Sequence, residues 1–532
     1  MKAILFFSLF FALITPASVE AAPAKSIAKG EPADPGVHTL YLQHCSECHH
    51  PERLGAMGPA LLPENLHRLR AKKAKGVIAE GRVATQMPPF KEILSPDQID
   101  ALVKYIYTSP NTPLIWGEKE IIDSHIIHNE PDTLPGKPVF KVADLFNLFL
   151  VVELGDHHVT LLDGDRFEPI HRFPSRYALH GGPKYGPNGR FVYFGSRDGW
   201  VSKFDIYSLE LVAEIRVGIN TRNVAVSGDG KWVMAANYLP HTLVILDGEK
   251  LEPVQVIPVV DDAGHSSRVS AVYAAAPRNS FIAALKDIPE IWEIPYQDGG
   301  KGKSGLKVRQ VDAASNEVIP GKKGPFSARR IKVEVPLDDF FFDQSYKNLI
   351  GASRTGVPGQ VVDLDAGQKT AEIDMPGMPH LGSGITWEYQ GRKVMASPNL
   401  KDGVVSVIDL ETWEVIKRIE TLGPGFFMRS HENSPYAWVD VFFGPNRDAM
   451  HVIDKSKLEI VKTLRPAPGK VSGHIEFTRD GSHALLSIWD KDGALIIYNG
   501  HTLEEIKRIP MKKPSGKYNV HNKVTRSAGT SH

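Results

Sequence analysis

The chain contains very little cysteine: Cys45 and Cys48 are the only two among its 532 residues. Two cysteines cannot build the disulfide framework that holds many small secreted domains together. The chain also lacks net charge, because 62 basic residues balance 62 acidic residues. A protein that binds nucleic acid through its phosphates needs an excess of positive charge, so nucleic acid is not expected as a partner.

Long apolar runs are missing beyond the start of the chain. Residues 3–14 form an apolar run behind Lys2, and the small residues Ala21 and Ala22 follow it. This pattern is typical of a secretory signal peptide cleaved after Ala21. A membrane anchor is the alternative, but spanning a bilayer takes roughly 20 apolar residues. We therefore expect residues 1–21 to be a signal peptide and the protein to be exported without membrane insertion.

The two cysteines stand together in the motif Cys45-Ser-Glu-Cys48-His49. This Cys-x-x-Cys-His pattern is that of a c-type haem attachment site. Two thiols one helical turn apart can reach both vinyl groups of one haem, and the neighbouring imidazole can ligate its iron. A redox dithiol would need a βαβ context, and a zinc site would need further ligands at short spacing. Neither context is present, so we expect one covalent haem c on Cys45 and Cys48, with His49 as an iron ligand.

A methionine is expected as the second axial ligand of this iron. Met87 lies about 40 residues after the cysteine motif, in a Gln-Met-Pro-Pro-Phe stretch that resembles the methionine loop of small class I cytochromes c. Met57 is the competing residue. Met87 is preferred because Gly58–Leu61 resembles the loop that packs on the haem in those proteins. A thioether ligand raises the haem potential, which suits an electron carrier.

The segment that follows predicts a terminal helix. Ser95 and Gln98 form a capping-box pattern around a proline at the first helical position. Apolar residues then recur with helical spacing, at Ile99, Leu102, Val103 and Ile106. We expect an all-α cytochrome c domain over residues 22–108 and a linker over 109–138.

From residue 139 onward the helical periodicity gives way to short β-rich runs separated by turn residues. An apolar strand that ends in an acidic or amide residue recurs eight times. The repeated residues are Asp163, Asp205, Asp247, Glu293, Asp363, Asp409, Asp454 and Asn499. A period in the forties favours an all-β propeller, here with eight blades over residues 139–532. A solenoid is less favoured because distinct capping repeats are missing. One long gap contains an insertion over 298–325, expected to be an exposed loop.

The repeat also predicts which residues meet at the centre of the ring. Positions that enter the innermost strand of successive blades hold His180, Arg222, Arg268, His380, Arg429 and His474. Arginine binds carboxylates bidentately, and imidazole ligates iron or transfers protons. Such an opening suits a polycarboxylated, metal-bearing ligand. For Arg429 a blade-to-blade ion pair is an equal alternative. Surface or hydrogen-bonding roles are expected for His157, His158, His171 and His265.

Three stretches of the chain resemble the cytochrome cd1 family, in which a periplasmic cytochrome c domain precedes an eight-bladed propeller that binds haem d1. They are Tyr177–His180, Gly195–Gly199 and Leu246–Pro253. The resemblance implies a periplasmic location and a non-covalent haem d1, or its dihydro precursor, in the propeller. It implies that His180 ligates the haem d1 iron. It also implies that three arginines, Arg197, Arg222 and Arg268, contact the haem d1 carboxylates.

Two branches of this family differ in their distal histidines. The nitrite reductases carry one histidine in a Phe-Leu-His-Asp-Gly-Gly-like stretch, where this chain has Phe341–Ser345 without histidine. His380 retains the other. Because nitrite reduction consumes protons, this loss counts against a nitrite reductase. The stretches 266–273, 340–346 and 473–478 instead resemble the branch that matures haem d1.

The resemblance to the maturation branch implies an oxidoreductase that dehydrogenates a propionate of dihydro-haem d1 to an acrylate. His380 and His474 are the expected catalytic residues, with His474 favoured as the base. Electrons would leave through haem c to a periplasmic acceptor. Cytochrome cd1 nitrite reductase and other maturation proteins are the partners that the resemblance suggests. A nitrite reductase and a non-catalytic haem d1 carrier remain alternatives, and Tyr518 stays open between packing and a place in the cavity.

Overall fold

The computed structural model describes residues 35–66, 69–82, 87–111, 115–297, 310–311, 318–319, 325–353 and 358–525. The expected signal peptide and most of the insertion over 298–325 lie outside these ranges. Within them, two short strands of the insertion, β16 (Gln310–Val311) and β17 (Val318–Ile319), pair with each other. None of the helices in the described ranges has the length and apolar character that crossing a bilayer requires.

The N-terminal region is helical, as expected for a cytochrome c domain. Its helix α5 begins with the predicted capping box, because the Ser95 side chain accepts a hydrogen bond from the Gln98 amide and the Gln98 side chain accepts one from the Ser95 amide. The four apolar residues with helical spacing are buried, which confirms the predicted helix. The helices are α1 (Pro35–His44), α2 (Ser46–His49), α3 (Pro63–Leu66), α4 (Ala71–Glu80) and α5 (Pro96–Ile106).

The stretch after the cytochrome domain packs on the propeller. Its helix α6 (Glu118–Asp123) buries Ile121 in an apolar cluster shared by two neighbouring blades. Strand β1 (Ile126–Ile127) then pairs antiparallel with the outermost strand of one of these blades. This segment, expected as a linker, therefore adds a fifth strand to a blade.

The β-rich region forms eight antiparallel blades within the described residues, which confirms the predicted propeller. Blade 1 contains β2 (Leu148–Glu153), β3 (His158–Asp163), β4 (Glu168–Pro174) and β35 (Pro514–Asn519), and blade 2 contains β5 (Lys184–Tyr185), β6 (Phe191–Gly195), β7 (Trp200–Asp205) and β8 (Glu210–Arg216). Blade 3 contains β9 (Asn220–Val226), β10 (Trp232–Leu239), β11 (Thr242–Asp247) and β12 (Pro253–Pro258), and blade 4 contains β13 (Val269–Ala275), β14 (Ser280–Leu285), β15 (Glu290–Pro295) and β18 (Arg329–Lys332). Blade 5 contains β19 (Asp339–Phe342), β20 (Asn348–Ala352), β21 (Gly359–Asp363) and β22 (Gln368–Ile373), and blade 6 contains β23 (Ile385–Tyr389), β24 (Arg392–Pro398), β25 (Val404–Asp409) and β26 (Val415–Glu420). Blade 7 contains β27 (Met428–Ser430), β28 (Tyr436–Asp440), β29 (Met450–Asp454) and β30 (Glu459–Leu464), and blade 8 contains β31 (Ser472–Phe477), β32 (His483–Ile488), β33 (Gly493–Asn499) and β34 (Glu505–Met511).

The last strand of the chain closes the ring. Strand β35 pairs antiparallel with β2, with Tyr518 opposite Leu150 and Asn519 opposite Phe149. Because β35 is the innermost strand of blade 1, the two ends of the propeller share one sheet. The short helix α7 (Val520–Thr525) follows and packs on β2 and β35. Closure in this way leaves no open sheet edge at the junction.

The repeated acidic or amide residue, except for Glu293, ends the third strand of its blade and shapes the next turn. In seven of the eight described blades its side-chain oxygen accepts hydrogen bonds from the amides two and three residues ahead. The residue four positions ahead then has positive φ. Glu293 differs, because its longer side chain pairs with Arg278 and Arg329 instead.

The cytochrome domain contacts blades 2 and 3. Leu54, Ala60 and Leu62 form an apolar cluster with Ile219, next to Leu239 of the propeller. Two hydrogen bonds support this contact. Arg216 donates to the backbone oxygen of Leu54 at 3.1 Å, and Asn220 donates to Asn65. The loop after α2 is thereby held against the mouth of the ring.

Candidate functional site: a central cavity beside a cytochrome domain

A cavity of about 720 Å³ opens at the centre of the ring. Its volume lies within the roughly 300–1,000 Å³ range of small-molecule and cofactor sites. Every one of the eight described blades contributes at least one polar side chain to the wall. In blade order these include Tyr518, His180, Arg222, Tyr273, Asp339, His380, Arg429 and His474. The convergence expected from the repeat is therefore observed.

Five of the six residues predicted to converge line this cavity, together with Arg197. Arg268 does not, because its guanidinium is paired with Asp287, with Nε 2.8 Å from Oδ2. It stands behind Tyr238, a residue of the cavity wall, with the guanidinium carbon 5.3 Å from the ring centre. A contact between Arg268 and a ligand stays a prediction. His157 lines the wall as well, although a surface role was expected for it.

His180 and His380 are held by the same kind of hydrogen bond. In each, Nδ1 lies 2.6 Å from a backbone oxygen, that of Arg222 for His180 and that of Phe426 for His380. A carbonyl can only accept, so Nδ1 carries the proton in both rings and Nε2 keeps its lone pair. Burial, followed by the charges of Arg222 and Arg197, lowers the pKa of His180 well below its ordinary value. A neutral imidazole with a fixed tautomer is suited to binding a metal.

His474 is held differently. It is the extra residue of a β-bulge in β31, between Gly473 and Ile475, and its φ is +57°. A bulge re-aims a side chain that regular alternation would place elsewhere. The ring packs between Phe427 and Tyr518, with centroids 4.8 Å and 5.1 Å away. Burial, followed by the charges of Lys517 and Arg429, lowers the pKa of His474 well below its ordinary value, so the imidazole is neutral near pH 7.

Two arginines, Arg197 and Arg222, lie together on one side of the cavity. Arg197 and Arg222 belong to neighbouring blades, and enclosure in the protein followed by the charge of Arg222 lowers the pKa of Arg197 to about 9. The Arg222 guanidinium lies over the Tyr238 ring at 4.8 Å. Lysines at 184, 513 and 523 also line the cavity. This arrangement can bind carboxylates of a ligand.

The opposite side is aromatic. Phe426, Phe427, Phe442 and Trp489 line the cavity next to His380 and His474. Successive ring centroids are 4.4 Å apart between Phe426 and Phe427 and 4.9 Å apart between Phe442 and Trp489. A wall of this kind suits the faces of a flat conjugated macrocycle.

Asp339 and Tyr273 are polar residues of the wall that the sequence did not predict. The Tyr273 hydroxyl donates to Asp339 Oδ1 at 3.0 Å, and the Gly382 amide donates to Asp339 Oδ2 at 2.6 Å. Asp339 begins the innermost strand of blade 5, one of the two blades that held none of the six predicted central residues. The blade register alone could therefore have identified it.

The cysteine motif lies on one helical turn beside a buried imidazole. Cys45 directly precedes α2, which carries Cys48 and His49, and both thiols are free. His49 is 7% exposed, and its Nδ1 lies 2.7 Å from the Pro59 backbone oxygen. The proton is therefore on Nδ1, and Nε2 is available for iron. These residues fit a covalent haem c with His49 as a ligand.

The two candidate methionines occupy different surroundings. Met87 packs against the same cytochrome core as Cys45. Met57 instead lines the propeller cavity. The next residue, Gly58, lies so close to the His49 ring that a Cβ there would approach within 2.4 Å. Met57 therefore lies next to the residue that contacts His49, and Met87 stays the predicted second ligand.

A cytochrome c domain seated on a propeller with a histidine- and arginine-lined cavity defines a class of two-domain haem proteins. Residues 143–317 and 321–523 match the family model described as the Cytochrome D1 heme domain. Residues 33–106 match the model described as cytochrome C oxidase, cbb3-type, subunit III. The chain thus belongs to the Cytochrome D1 heme domain family. These two matches confirm the predicted resemblance to the cytochrome cd1 family and the presence of two haem domains.

Several relatives share most of the chain. A protein of Pseudomonas aeruginosa named dihydro-heme d1 dehydrogenase is 55% identical over 93% of this chain and 95% of its own length. The nitrite reductase of Stutzerimonas stutzeri is 25% identical over 91% of this chain and 92% of its own. The solved structure of dihydro-heme d1 dehydrogenase NirN in complex with DHE matches with a TM-score of 0.80 and 55% identity, over 91% of this chain and 99% of that one.

Proposed function

We propose that this protein is a dihydro-haem d1 dehydrogenase, which oxidises a propionate side chain of its tetrapyrrole substrate to an acrylate. The proposal rests on one observation: a single cavity contains the groups proposed to bind the substrate and to take its proton. They are His180 with its fixed tautomer, a pair of arginines, an aromatic wall and the buried, neutral His474. The extensive identity to a protein with that name supports it.

The fixed residues of the cavity would hold the substrate. His180 is the proposed iron ligand, because its Nδ1 is bonded to the Arg222 backbone oxygen, which leaves the lone pair on Nε2. Arg197 and Arg222 are the proposed partners of the substrate carboxylates, and Arg268 is proposed to contribute from behind Tyr238. Several fixed contacts around one rigid macrocycle would orient the propionate toward the aromatic side.

His474 is the proposed base and His380 the second proton-transfer or positioning group. A base must be neutral before it acts, and burial keeps His474 neutral. His380 is tied through Nδ1 to the Phe426 carbonyl, so its ring can exchange a proton or bind a metal only at Nε2. His474 has no such tie, which distinguishes the two roles.

The dehydrogenation removes two protons and two electrons from the propionate. Haem c, when bound at Cys45 and Cys48, supplies one-electron redox chemistry. In the protein itself, the loop that holds His49 also places Met57 in the cavity wall, so the two haem sites share a wall. A periplasmic electron acceptor is the proposed outlet, and the periplasm is the proposed location.

The test is to bind dihydro-haem d1 to the purified holoprotein, add a chemical one-electron oxidant and determine the mass of the extracted tetrapyrrole. We expect the loss of two hydrogens. Recovery of unchanged substrate would indicate a carrier. Rapid turnover of nitrite by the reduced protein loaded with haem d1 would indicate a nitrite reductase. Transfer of the product to cytochrome cd1 nitrite reductase is proposed as the next step, and mixing the two proteins after conversion would test it.

A further inference from the structure

A group of buried polar side chains, two of which line the cavity, lies where blades 7, 8 and 1 meet. Arg429, His474 and Glu476 are each at most 3% exposed. Three of their atoms have no hydrogen-bond partner among the described residues: Arg429 Nε, His474 Nδ1 and Glu476 Oε2. An unsatisfied buried polar atom destabilises the folded state. Three of them in neighbouring side chains indicate a site for a small polar molecule.

The separation of Arg429 and Glu476 suits a bridging water, and the charge of Arg429 also acts on His474. Arg429 Nε lies 3.9 Å from Glu476 Oε2, which is within ion-pair range but longer than a hydrogen bond. The other carboxylate oxygen, Oε1, already accepts from Asn522 at 3.0 Å. Oε2 is therefore the oxygen left for a water, and a water can bridge polar groups that are too far apart for direct contact.

Further charges surround the group on every side. The titratable residues whose charges act on Glu476, besides Arg429, are Tyr185, His431, Lys517 and Tyr518. Asp440 accepts from the His474 amide, and Lys517 donates to the His474 backbone oxygen and to Ser487. The charge of Lys523 acts on His474 from α7. His474 thus has its backbone tied on both sides while its Nδ1 remains unbonded.

We propose that Glu476 is a proton-relay residue, which receives the substrate proton from His474 through a water held by Arg429, His474 and Glu476. The inference rests on the proposed dehydrogenation. That reaction breaks two C–H bonds of the propionate and forms one C=C bond. Two electrons leave singly to an external one-electron acceptor by way of the cytochrome domain. One proton passes to His474 and on to Glu476, and the other leaves to solvent through the cavity.

A histidine relay of this kind needs both ring nitrogens. His474 takes the proton at the nitrogen that faces the cavity and releases the proton of Nδ1 behind the wall. His180 and His380 cannot act in this way, because their Nδ1 protons are bonded to carbonyl groups. The buried neutral state of His474 also disfavours keeping the added proton, so an onward acceptor is required.

The test compares Glu476→Gln with the wild-type holoprotein, using bound dihydro-haem d1 and a chemical one-electron oxidant. The amide keeps the size of the side chain and its bond to Asn522 but cannot take a proton. We expect conversion to slow roughly 100-fold at pH 7, with a changed pH profile and a changed solvent deuterium isotope effect. The affinity for dihydro-haem d1, from a visible-absorption titration, should change by less than about threefold.

Two further variants separate a relay from a structural role. Glu476→Asp keeps a titratable group and should recover part of the rate. Glu293→Gln changes another buried glutamate, which is paired with Arg278 and Arg329 away from the cavity, and should keep the wild-type pH profile. A wild-type rate and pH profile in Glu476→Gln, or loss of substrate binding, would overturn the relay. Failure of the wild-type protein to convert the substrate would overturn the proposed function instead.

Discussion

Three histidines of the cavity wall come from blades 2, 6 and 8 and differ in how their ring nitrogens are bonded. His180 and His380 have Nδ1 fixed to backbone oxygens at 2.6 Å, whereas Nδ1 of His474 is buried and has no such bond. The tautomer is thereby set in the first two and left open in the third. The same residue type therefore suits metal binding in one place and proton transfer in another.

Replacement of His474 by alanine should abolish most of the activity and leave binding intact. The variant removes the proposed base but not His180, Arg197 or Arg222. We expect conversion of dihydro-haem d1 to fall roughly 10²–10⁴-fold, the usual effect of losing a general base. Stopped-flow absorbance of the preloaded protein after addition of oxidant would measure it. Undiminished conversion would remove His474 from the mechanism.

A histidine outside the cavity predicts how stability depends on pH. Burial, followed by the charge of Arg465, lowers the pKa of His451 to about 4. In the fold its Nε2 accepts from the Leu422 amide at 3.1 Å, and its Nδ1 lies 2.8 Å from the Thr463 hydroxyl. The neutral ring is therefore the native form. Below a pH of about 6.5 the unfolded chain binds a proton that the folded chain does not, so stability falls as the pH falls toward 4.

His451→Gln should reduce this acid sensitivity. Glutamine retains a donor and an acceptor but does not titrate. The contribution of His451 has a maximum slope of about 1.4 kcal/mol per pH unit between pH 6.5 and 4, and the variant should lose that slope. Thermal unfolding from pH 7 to pH 4.5 would measure it, with His501→Gln on the exposed surface as the control. Parallel pH curves for wild type and His451→Gln would contradict the prediction.

The turn that ends the third strand is the element that repeats around the ring. In blade 6, Asp409 accepts from the amides of Glu411 and Thr412 at 2.8 Å and 3.1 Å, and Trp413 then adopts φ +64°. In blade 8, Asn499 makes the same two bonds with an amide oxygen. The turn thus requires an oxygen acceptor rather than a negative charge.

Asp409→Ala and Asp409→Asn should consequently differ. Alanine leaves two amides without their acceptor, at a cost of about 1–3 kcal/mol in the free energy of unfolding. Asparagine supplies the acceptor and should cost less than half as much. Urea unfolding of both variants would compare them. Equal destabilisation by the two substitutions would show that the charge next to Arg392, rather than the turn, is what matters at this position.

Regular elements could be predicted from the sequence, and irregular ones could not. The capping box at Ser95 and the repeated acidic residues report local hydrogen bonds, so the α5 helix and the blades follow from sequence patterns. The bulge at His474 and the pairing of Arg268 with Asp287, which keeps Arg268 out of the cavity wall, depend on contacts between separate segments of the chain. The repeat could have predicted Asp339, because it begins the innermost strand of one of the two blades without a predicted central residue.

One loop connects the two haem sites. The chain between Cys48 and Leu62 wraps His49 with Pro59 and Gly58, packs Leu54 against blade 3 and places Met57 in the propeller cavity. An apolar contact supported by two hydrogen bonds holds this arrangement. The cytochrome domain is therefore part of the cavity wall, and changes in the loop should affect the binding of the tetrapyrrole.

The two methionines should respond in opposite ways to replacement by alanine. Met57→Ala removes a side chain from the cavity wall, so the dissociation constant for dihydro-haem d1 should rise roughly tenfold, a loss of about 1.4 kcal/mol. The methionine-to-iron charge-transfer band of ferric haem c should stay. Met87→Ala should lose that band and lower the haem c midpoint potential, because a thioether ligand raises it. Visible spectra and potentiometric titration of both holoproteins would measure these effects. Loss of the band in Met57→Ala would reverse the ligand assignment.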